Sequence, residues 1–317
     1  MKIVMLDSCT LGEGLDFSIF ESLGEFVRFE NTAYGEIYSR VCDADVIITN
    51  KCKLNAETLE GAESVKLICL AATGYDNVDC DYCRENGIGV ANVVGYSTDS
   101  VAQVTVGIAL ELLMHLREYT DFVREGSYSE SGVANRLVPT YFELSGKTWG
   151  IVGYGNIGKK VGEIAKAFGC NVIVNKREKI DGVECVSLDE MFERADIISV
   201  HTPLTEATRG MIGAELLSKM KKNAILVNTA RGAVTDEVAV KDAVMLGKLA
   251  GFGTDVYSVE PFGIEHPFYE IKDFDNVCMT PHMAWGAFEA RERCMAEIVE
   301  NIRAFSNGIM RNRVEKN

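Results

Sequence analysis

Short aliphatic runs alternate with amphipathic stretches along the whole chain. Residues 2–6, 25–29, 46–49, 67–71 and 89–91 are brief apolar runs of strand length, and each predicts a strand. Helical spacing lies between them, as at 17–23 and 56–59. Repeated βα alternation predicts a parallel sheet covered on both faces. A second series begins with strands at 149–152 and 171–174 and continues at 197–200, 224–227, 250–253 and 277–279. Helices are expected at 157–168, 188–194, 214–220 and 236–246, and an amphipathic one closes the chain at 287–305. That last helix is expected to cross back to the first half, leaving a substrate cleft between the halves.

Between the two series lies a different pattern. Residues 92–98 read as a connection, and Ser97, Thr98 or Asp99 can cap the long helix that follows through Leu116. That helix is apolar around most of its circumference, which predicts burial. Residues 118–145 are polar and read as irregular, with Gly126, Gly132 and Pro139. A structureless segment this long usually marks function or an interface. The helix and this segment are therefore expected to form a subunit interface, most simply in a homodimer.

The second series opens on the most informative stretch. An apolar strand runs into Gly153-Tyr154-Gly155-Asn156-Ile157-Gly158, then a helical pattern with Gly169 as its stop, then a second strand. This is the strand–turn–helix–strand setting that a G-x-G-x-x-G dinucleotide fingerprint requires. Gly153 permits a tight turn, Gly155 lets backbone N–H groups approach a pyrophosphate, and Gly158 lets the helix pack closely on the strand. The phosphates would sit at the positive end of the helix dipole. The first series has no such loop, so the second is read as the cofactor half.

Composition narrows the class of function. A formal net charge of −15 argues against nucleic acid as partner. It leaves room for a small anionic substrate in a locally cationic pocket. The ten cysteines are scattered, and the first residues already read as a core strand and not as a signal peptide, which suggests reduced thiols in the cytoplasm. Cys80-Asp81-Tyr82-Cys83 has no second pair to complete a zinc site, so no metal is expected. The apolar run 101–116 is too short to span a bilayer and carries Gln103 and Glu111.

Acid–base chemistry has few candidates, because the chain has four histidines. His115 on the long helix and His266 before Pro267 read as structural. His201, in His201-Thr202-Pro203, follows a strand of the cofactor half and is expected near the nicotinamide; His282 follows another strand and stands beside Trp285. Strand ends alone do not choose between these two. Thr229-Ala230-Arg231 places a guanidinium just past one strand, and Asp255 and Glu260 place two carboxylates past another. Hydride transfer to a 2-keto acid needs an arginine fork for the carboxylate, an acid for the forming alkoxide, and a carboxylate to orient a histidine acid. The turn Ala72-Thr73-Gly74-Tyr75, beyond an expected strand end, could offer N–H groups to a substrate carboxylate, or be an ordinary turn.

Taken together, these motifs resemble the D-isomer-specific 2-hydroxyacid dehydrogenases over nearly the whole chain, from the Ala72-Thr73-Gly74 turn through Gly95-Tyr96-Ser97-Thr98 and the glycine loop to the three later turns. The resemblance implies two doubly wound α/β domains. A Rossmann NAD(P)-binding domain at 98–287 would be inserted into a flavodoxin-like substrate domain at 1–97 and 288–317. It implies a catalytic triad of Arg231, Glu260 and His282, with His282 as proton donor and acceptor. It assigns Thr73 and Gly74 to the substrate carboxylate, with Lys51, Tyr75 and Trp285 also on the substrate. Asp255, with the backbone near Thr229 and Ala230, would meet the nicotinamide amide. Further cofactor contacts are expected from Gly153, Gly155, Asn156, Ile157, Gly158, Val101, Asn175, Lys176, Arg177, His201, Thr202 and Pro203. Asn50-Lys51, Val101-Ala102-Gln103 and Trp285 look most like the glycerate dehydrogenase (hydroxypyruvate reductase) group, although Val104 stands where that group often has a histidine.

Two positions sharpen or test this resemblance. NAD-preferring members place an acid where Lys176 stands, to bind the ribose 2′-OH. Lys176 and Arg177 could instead neutralise a 2′-phosphate, which tilts the expectation slightly towards NADP(H). Formate dehydrogenases resemble this chain but carry glutamine at the Glu260 position, and phosphoglycerate dehydrogenase remains an alternative without room here for a separate regulatory domain. The same family includes dinucleotide-sensing co-repressors. The intact triad and the lack of an appended tail favour an enzyme.

Overall fold

The structure, a computed structural model, describes residues 1–176 and 180–316. It contains two compact units, Met1–Ser97 with Gly286–Asn317, and Thr98–Trp285. Both are parallel-sheet α/β domains. The first holds β1 (Lys2–Met5), β2 (Glu25–Arg28), β3 (Val46–Thr49), β4 (Leu67–Leu70) and β5 (Gly89–Ala91), in the order β2-β1-β3-β4-β5. This is the flavodoxin-like order. Val4, Ile47, Ile68 and Val90 are register partners, and period-2 alternation puts all four on one face, where they join one buried cluster. The helix Phe288–Ser306 packs on β4 within this unit.

The second unit holds β6 (Thr148–Val152), β7 (Asn171–Asn175), β8 (Glu184–Cys185), β9 (Ile197–Val200), β10 (Ile225–Asn228), β11 (Gly251–Thr254) and β12 (Val277–Met279). Their order is β12-β11-β10-β9-β6-β7-β8, and every pair is parallel. The chain winds outward in both directions from β6 and β9, so the crevice above their carboxyl ends is the switch point where such sheets bind ligands. The helix Thr98–Met114 packs on the helix Asn156–Ala167 and on β10 and β11. A Cβ on Gly253 would fall 2.1 Å from Ile108 Cγ2, so glycine in β11 is what admits this helix. Under the sheet, Trp149 is fully buried and its Nε1 donates to Ser199 Oγ at 2.9 Å.

Several elements differ from the sequence expectation. The long helix ends at Met114, because His115 takes a left-handed φ of 51° and a new helix, Leu116–Arg124, begins. A further short helix, Ser127–Glu130, follows, so part of the stretch read as irregular is helical. Leu116, Tyr119, Phe122 and Val123 do recur at helical spacing, but no residue from 116 to 143 is buried, so no core contact reinforces the pattern. Residues 17–23 form a 3-10 helix. The two-residue β8 is too short to leave a periodic signal.

Candidate active site

The glycine loop leaves β6 and opens the helix Asn156–Ala167. Gly153 has a φ of 89°, and a Cβ there would lie 2.8 Å from the His201 carbonyl and the Thr202 nitrogen. Only glycine satisfies both the left-handed backbone and that approach. A Cβ on Gly158 would lie 2.2 Å from Gly153 O, so the helix start closes directly onto the turn. Gly155, by contrast, faces open space. It is the N-cap residue of the helix, with no side-chain cap on the first turn. Free N–H groups at a helix start beside an open glycine fit the pyrophosphate of a dinucleotide.

Asn175 ends β7, and its Nδ2 donates to Val186 O at 3.0 Å, which fixes the amide and leaves Oδ1 as an acceptor. Lys176 is exposed directly after it. Arg177 lies outside the described residues. At the end of β9, His201 N donates to Val152 O at 2.7 Å. Both ring nitrogens of His201 are out of solvent with no hydrogen-bond partner among the described residues. Burial pushes this imidazole down to about 3. A ring held neutral in this way carries no imidazolium proton to donate near pH 7.

Three turns at the carboxyl ends of β10, β11 and β12 carry the remaining polar groups. Asn228 shapes the first: its Oδ1 accepts from Ala230 N and its Nδ2 donates to Arg231 O, both at 3.0 Å. Thr105 Oγ1 donates to Val101 O and lies 2.8 Å from Thr229 Oγ1. The single Thr105 proton is thereby used, so Thr229 donates to Thr105 and keeps its lone pairs for another partner. In the second turn, Tyr257 N donates to Glu260 Oε1 at 2.9 Å. Glu260 Oε2 lies 2.5 Å from His282 Nδ1, with both side chains partly exposed.

His282 itself has a left-handed φ of 51°, sparse for a residue with a side chain and typical of functional turns. Asp255 holds this third turn from below. It is 1% exposed and accepts from Thr280 Oγ1 at 2.6 Å, Met283 N at 2.8 Å and Ala284 N at 2.9 Å. Burial raises the pKa of the Asp255 carboxyl, and these donors oppose the rise. The Oγ of Ser100 donates to Ala284 O, tying the turn to the start of the long helix. Trp285 follows, partly buried.

Lys51, Thr73, Gly74 and Tyr75 belong to the other unit. Asp7 Oδ2 accepts from Lys51 N at 2.6 Å and from Cys52 N at 3.1 Å, which shapes the loop after β3. Thr73 Oγ1 donates to Val93 O at 2.7 Å, and Asn92 Nδ2 donates to Thr73 O at 2.7 Å. Tyr75 is exposed. Asp7, Asn92, Asn228 and Thr105 were not singled out by the sequence reading. Thr105 carried the one available signal, a hydroxyl inside an apolar helix four residues after Val101.

All ten cysteines are free. Burial pushes Cys83 up to about 12 and raises Cys80, so neither is a ready thiolate. Among the described residues no group of three or more His, Cys, Asp or Glu side chains could hold a metal ion. No single helix there is long and apolar enough to cross a membrane.

Residues 106–284 match the family described as D-isomer specific 2-hydroxyacid dehydrogenase, NAD binding domain. A hydroxypyruvate reductase of Blautia hydrogenotrophica is 36% identical over 325 residues, covering 100% of each chain. Among solved structures, an acyclic imino acid reductase in complex with NADPH and D-Arg superposes with a TM-score of 0.88, at 29% identity over 99% of this chain and 100% of that one. A D-lactate dehydrogenase from Aquifex aeolicus, complexed with NAD and lactic acid, gives 0.83 at 28% identity, over 97% and 96%. The chain belongs to the D-isomer-specific 2-hydroxyacid dehydrogenases. It is an oxidoreductase that uses a nicotinamide cofactor on a small 2-hydroxy or 2-keto acid.

Proposed function

We propose that the chain reduces a short 2-keto acid of the hydroxypyruvate and glyoxylate class to the D-2-hydroxy acid. The observation that carries this reading is the 2.5 Å contact between His282 Nδ1 and Glu260 Oε2, one strand end away from the Arg231 turn. The 36% identical hydroxypyruvate reductase supports the choice of substrate class. A nicotinamide held by the glycine loop would supply the hydride chemistry. Arg231 holds the substrate carboxylate with two parallel N–H donors and polarises the carbonyl. With Nδ1–H directed at Glu260, His282 delivers the proton on Nε2 to the carbonyl oxygen, and Glu260 stabilises the imidazolium before that transfer. Asp255 and the Thr229–Ala230 backbone receive the nicotinamide amide. Val101 adds contact from the helix, and the glycine loop with Asn156 and Ile157 holds the pyrophosphate. The family resemblance assigns Thr73 and Gly74 to the substrate carboxylate, and Lys51 and Tyr75 to the substrate as well.

For the cofactor, we place NADP(H) slightly ahead of NAD(H). An exposed lysine stands at the ribose-reading position after β7, where an acid would select the free 2′-hydroxyl. Initial rates with NADH and NADPH on hydroxypyruvate, glyoxylate, pyruvate and phosphohydroxypyruvate test both choices. Preference for hydroxypyruvate or glyoxylate supports the substrate class, and preference for phosphohydroxypyruvate would replace it. Tenfold selection in kcat/KM corresponds to about 1.4 kcal/mol, within reach of one or two ribose contacts. Equal rates with both cofactors would remove Lys176 as a selector.

We further propose a homodimer in the cytoplasm. Between residues 116 and 143, Val123, Leu137 and Val138 are 58%, 69% and 68% exposed, an apolar surface that a second copy would cover. Ten unpaired cysteines suit a reducing compartment. Sedimentation of the wild type against Val123→Glu/Leu137→Glu tests the dimer, and a monomeric wild type would exclude it.

A further inference from the structure

Besides Glu260 and His282, the second unit contains another carboxylate–imidazole pair, and this one is closed to ligands. Glu237 opens the helix Glu237–Met245 after its N-cap Asp236. The side chains of Glu237 and His266 are 8% and 6% exposed, with His266 Nε2 3.0 Å from Glu237 Oε2. The angle of that contact falls short of an ordinary hydrogen bond. His266 Nδ1 accepts from Phe268 N at 3.1 Å, so the ring proton lies on Nε2, facing the carboxylate. Rings of Tyr257, Phe262 and Phe268 surround the imidazole.

What the pair does hold is the turn that presents Glu260. Ser258 N donates to Glu237 Oε1 at 2.8 Å, and the Ser258 hydroxyl donates to Glu237 Oε2. Ser258 sits two residues before Glu260, and Tyr257 N, the amide just before it, donates to the Glu260 carboxylate. One carboxylate thus fixes both hydrogen-bond donors of Ser258, and the neighbouring amide fixes the carboxylate that meets His282. An acid in the first turn of a helix is favoured by the dipole wherever it points. That general preference leaves unexplained why this one is buried and aimed at Ser258.

We propose that Glu237 and His266 are positioning residues for the acid–base pair, setting where Glu260 stands relative to His282 through Ser258. The inference rests on the reading of Glu260 and His282 as the proton-handling pair. Glu260 faces His282 from the turn that carries Ser258, Asp255 lies beneath the His282 turn, and Arg231 stands on the neighbouring turn after β10, so all three charges bear on His282. A displaced Glu260 leaves the imidazolium less stabilised, and reduction then falls off at lower pH. A loss of fold would instead lower cofactor affinity and melting temperature together.

The test measures kcat/KM for hydroxypyruvate reduction against pH in Glu237→Gln, His266→Phe and Glu260→Gln, with NAD(P)H fluorescence titration as the control for fold. Glu237→Gln and His266→Phe are expected to lose roughly tenfold to a hundredfold in kcat/KM, since a misplacement near 1 Å costs on that order. Their alkaline limb should move to lower pH, as in Glu260→Gln, with cofactor affinity unchanged. A wild-type limb in both, beside a shifted limb in Glu260→Gln, overturns the brace and leaves the triad standing. An unshifted limb in Glu260→Gln itself overturns the triad, and the brace with it. Should Glu237→Gln not fold, Ser258→Ala removes one hydroxyl and keeps the backbone donor. A limb shifted the same way supports the brace, and a wild-type limb ends it.

Discussion

Gly232 and Tyr257 lie backbone to backbone: a Cβ on Gly232 would fall 2.0 Å from the Tyr257 carbonyl carbon and 2.3 Å from the next amide nitrogen. The turn carrying Arg231 therefore rests directly on the turn carrying Glu260. Gly232→Ala should drive the two apart. Overpacking of this kind costs about 1–3 kcal/mol, and kcat/KM should drop by roughly tenfold or more. A variant with wild-type kinetics would show that the turns tolerate separation.

Arg231→Ala should lose both substrate affinity and turnover, because the two-point hydrogen bond proposed for the substrate carboxylate would be lost. At about 1.5–3 kcal/mol for each such bond, the loss in kcat/KM is on the order of a hundredfold or more. Arg231→Lys should recover little, since an ammonium cannot reproduce the planar fork. Unchanged kcat/KM in Arg231→Ala would remove this residue from the mechanism.

Asp255→Asn should separate activity from stability. The substitution weakens the anchor under Met283 and Ala284, so kcat should fall. Because burial raises the Asp255 carboxyl, its stabilising share is present below the ordinary aspartate range and is lost as pH rises through its folded value. The wild type therefore bears the cost of a buried charge at neutral pH, which the Asn variant does not. The difference in melting temperature, variant minus wild type, should grow more positive from pH 4 to pH 7. A difference that shrinks would contradict the raised value.

His201 makes the opposite contribution on the acid side. Burial lowers it to about 3, so the unfolded chain takes up a proton that the folded chain refuses. Stability is full above the ordinary histidine range near 6.5 and falls with pH towards 3. Between pH 7 and pH 5 this amounts to about 2 kcal/mol at most. Urea midpoints of the cofactor-free protein at both pH values should show a smaller acid loss for His201→Phe than for the wild type.

Glycine and apolar runs made most of the fold legible. β6, the loop and the helix after it follow from a short apolar run, three glycines and a period near 3.6, all of which act locally. The turns at Arg231, Glu260 and His282 were legible as polar punctuation after strands. The choice between His282 and His201 was not legible from strand ends, because it depends on which ring meets a carboxylate and which has both nitrogens buried without a partner among the described residues. Glu237 and Ser258 escaped for the same reason: they meet across 21 positions through a helix start and a turn whose contact leaves no periodic trace. The Leu116–Arg124 helix escaped differently, since none of its residues is buried and its aromatic side meets partly exposed groups such as Tyr141 and Arg136.

The setting of Trp149 has a practical consequence. Both tryptophans, Trp149 and Trp285, fall within the Thr98–Trp285 unit. Indole emission is therefore an intrinsic optical label for that unit alone, and the flavodoxin-like unit is dark when excited at its red edge. Denaturation followed by emission reports melting of the Rossmann sheet around Trp149, while circular dichroism sums over both units. The two signals coincide only if the chain melts as one cooperative body. An unlabelled sample thus shows whether each half is stable by itself.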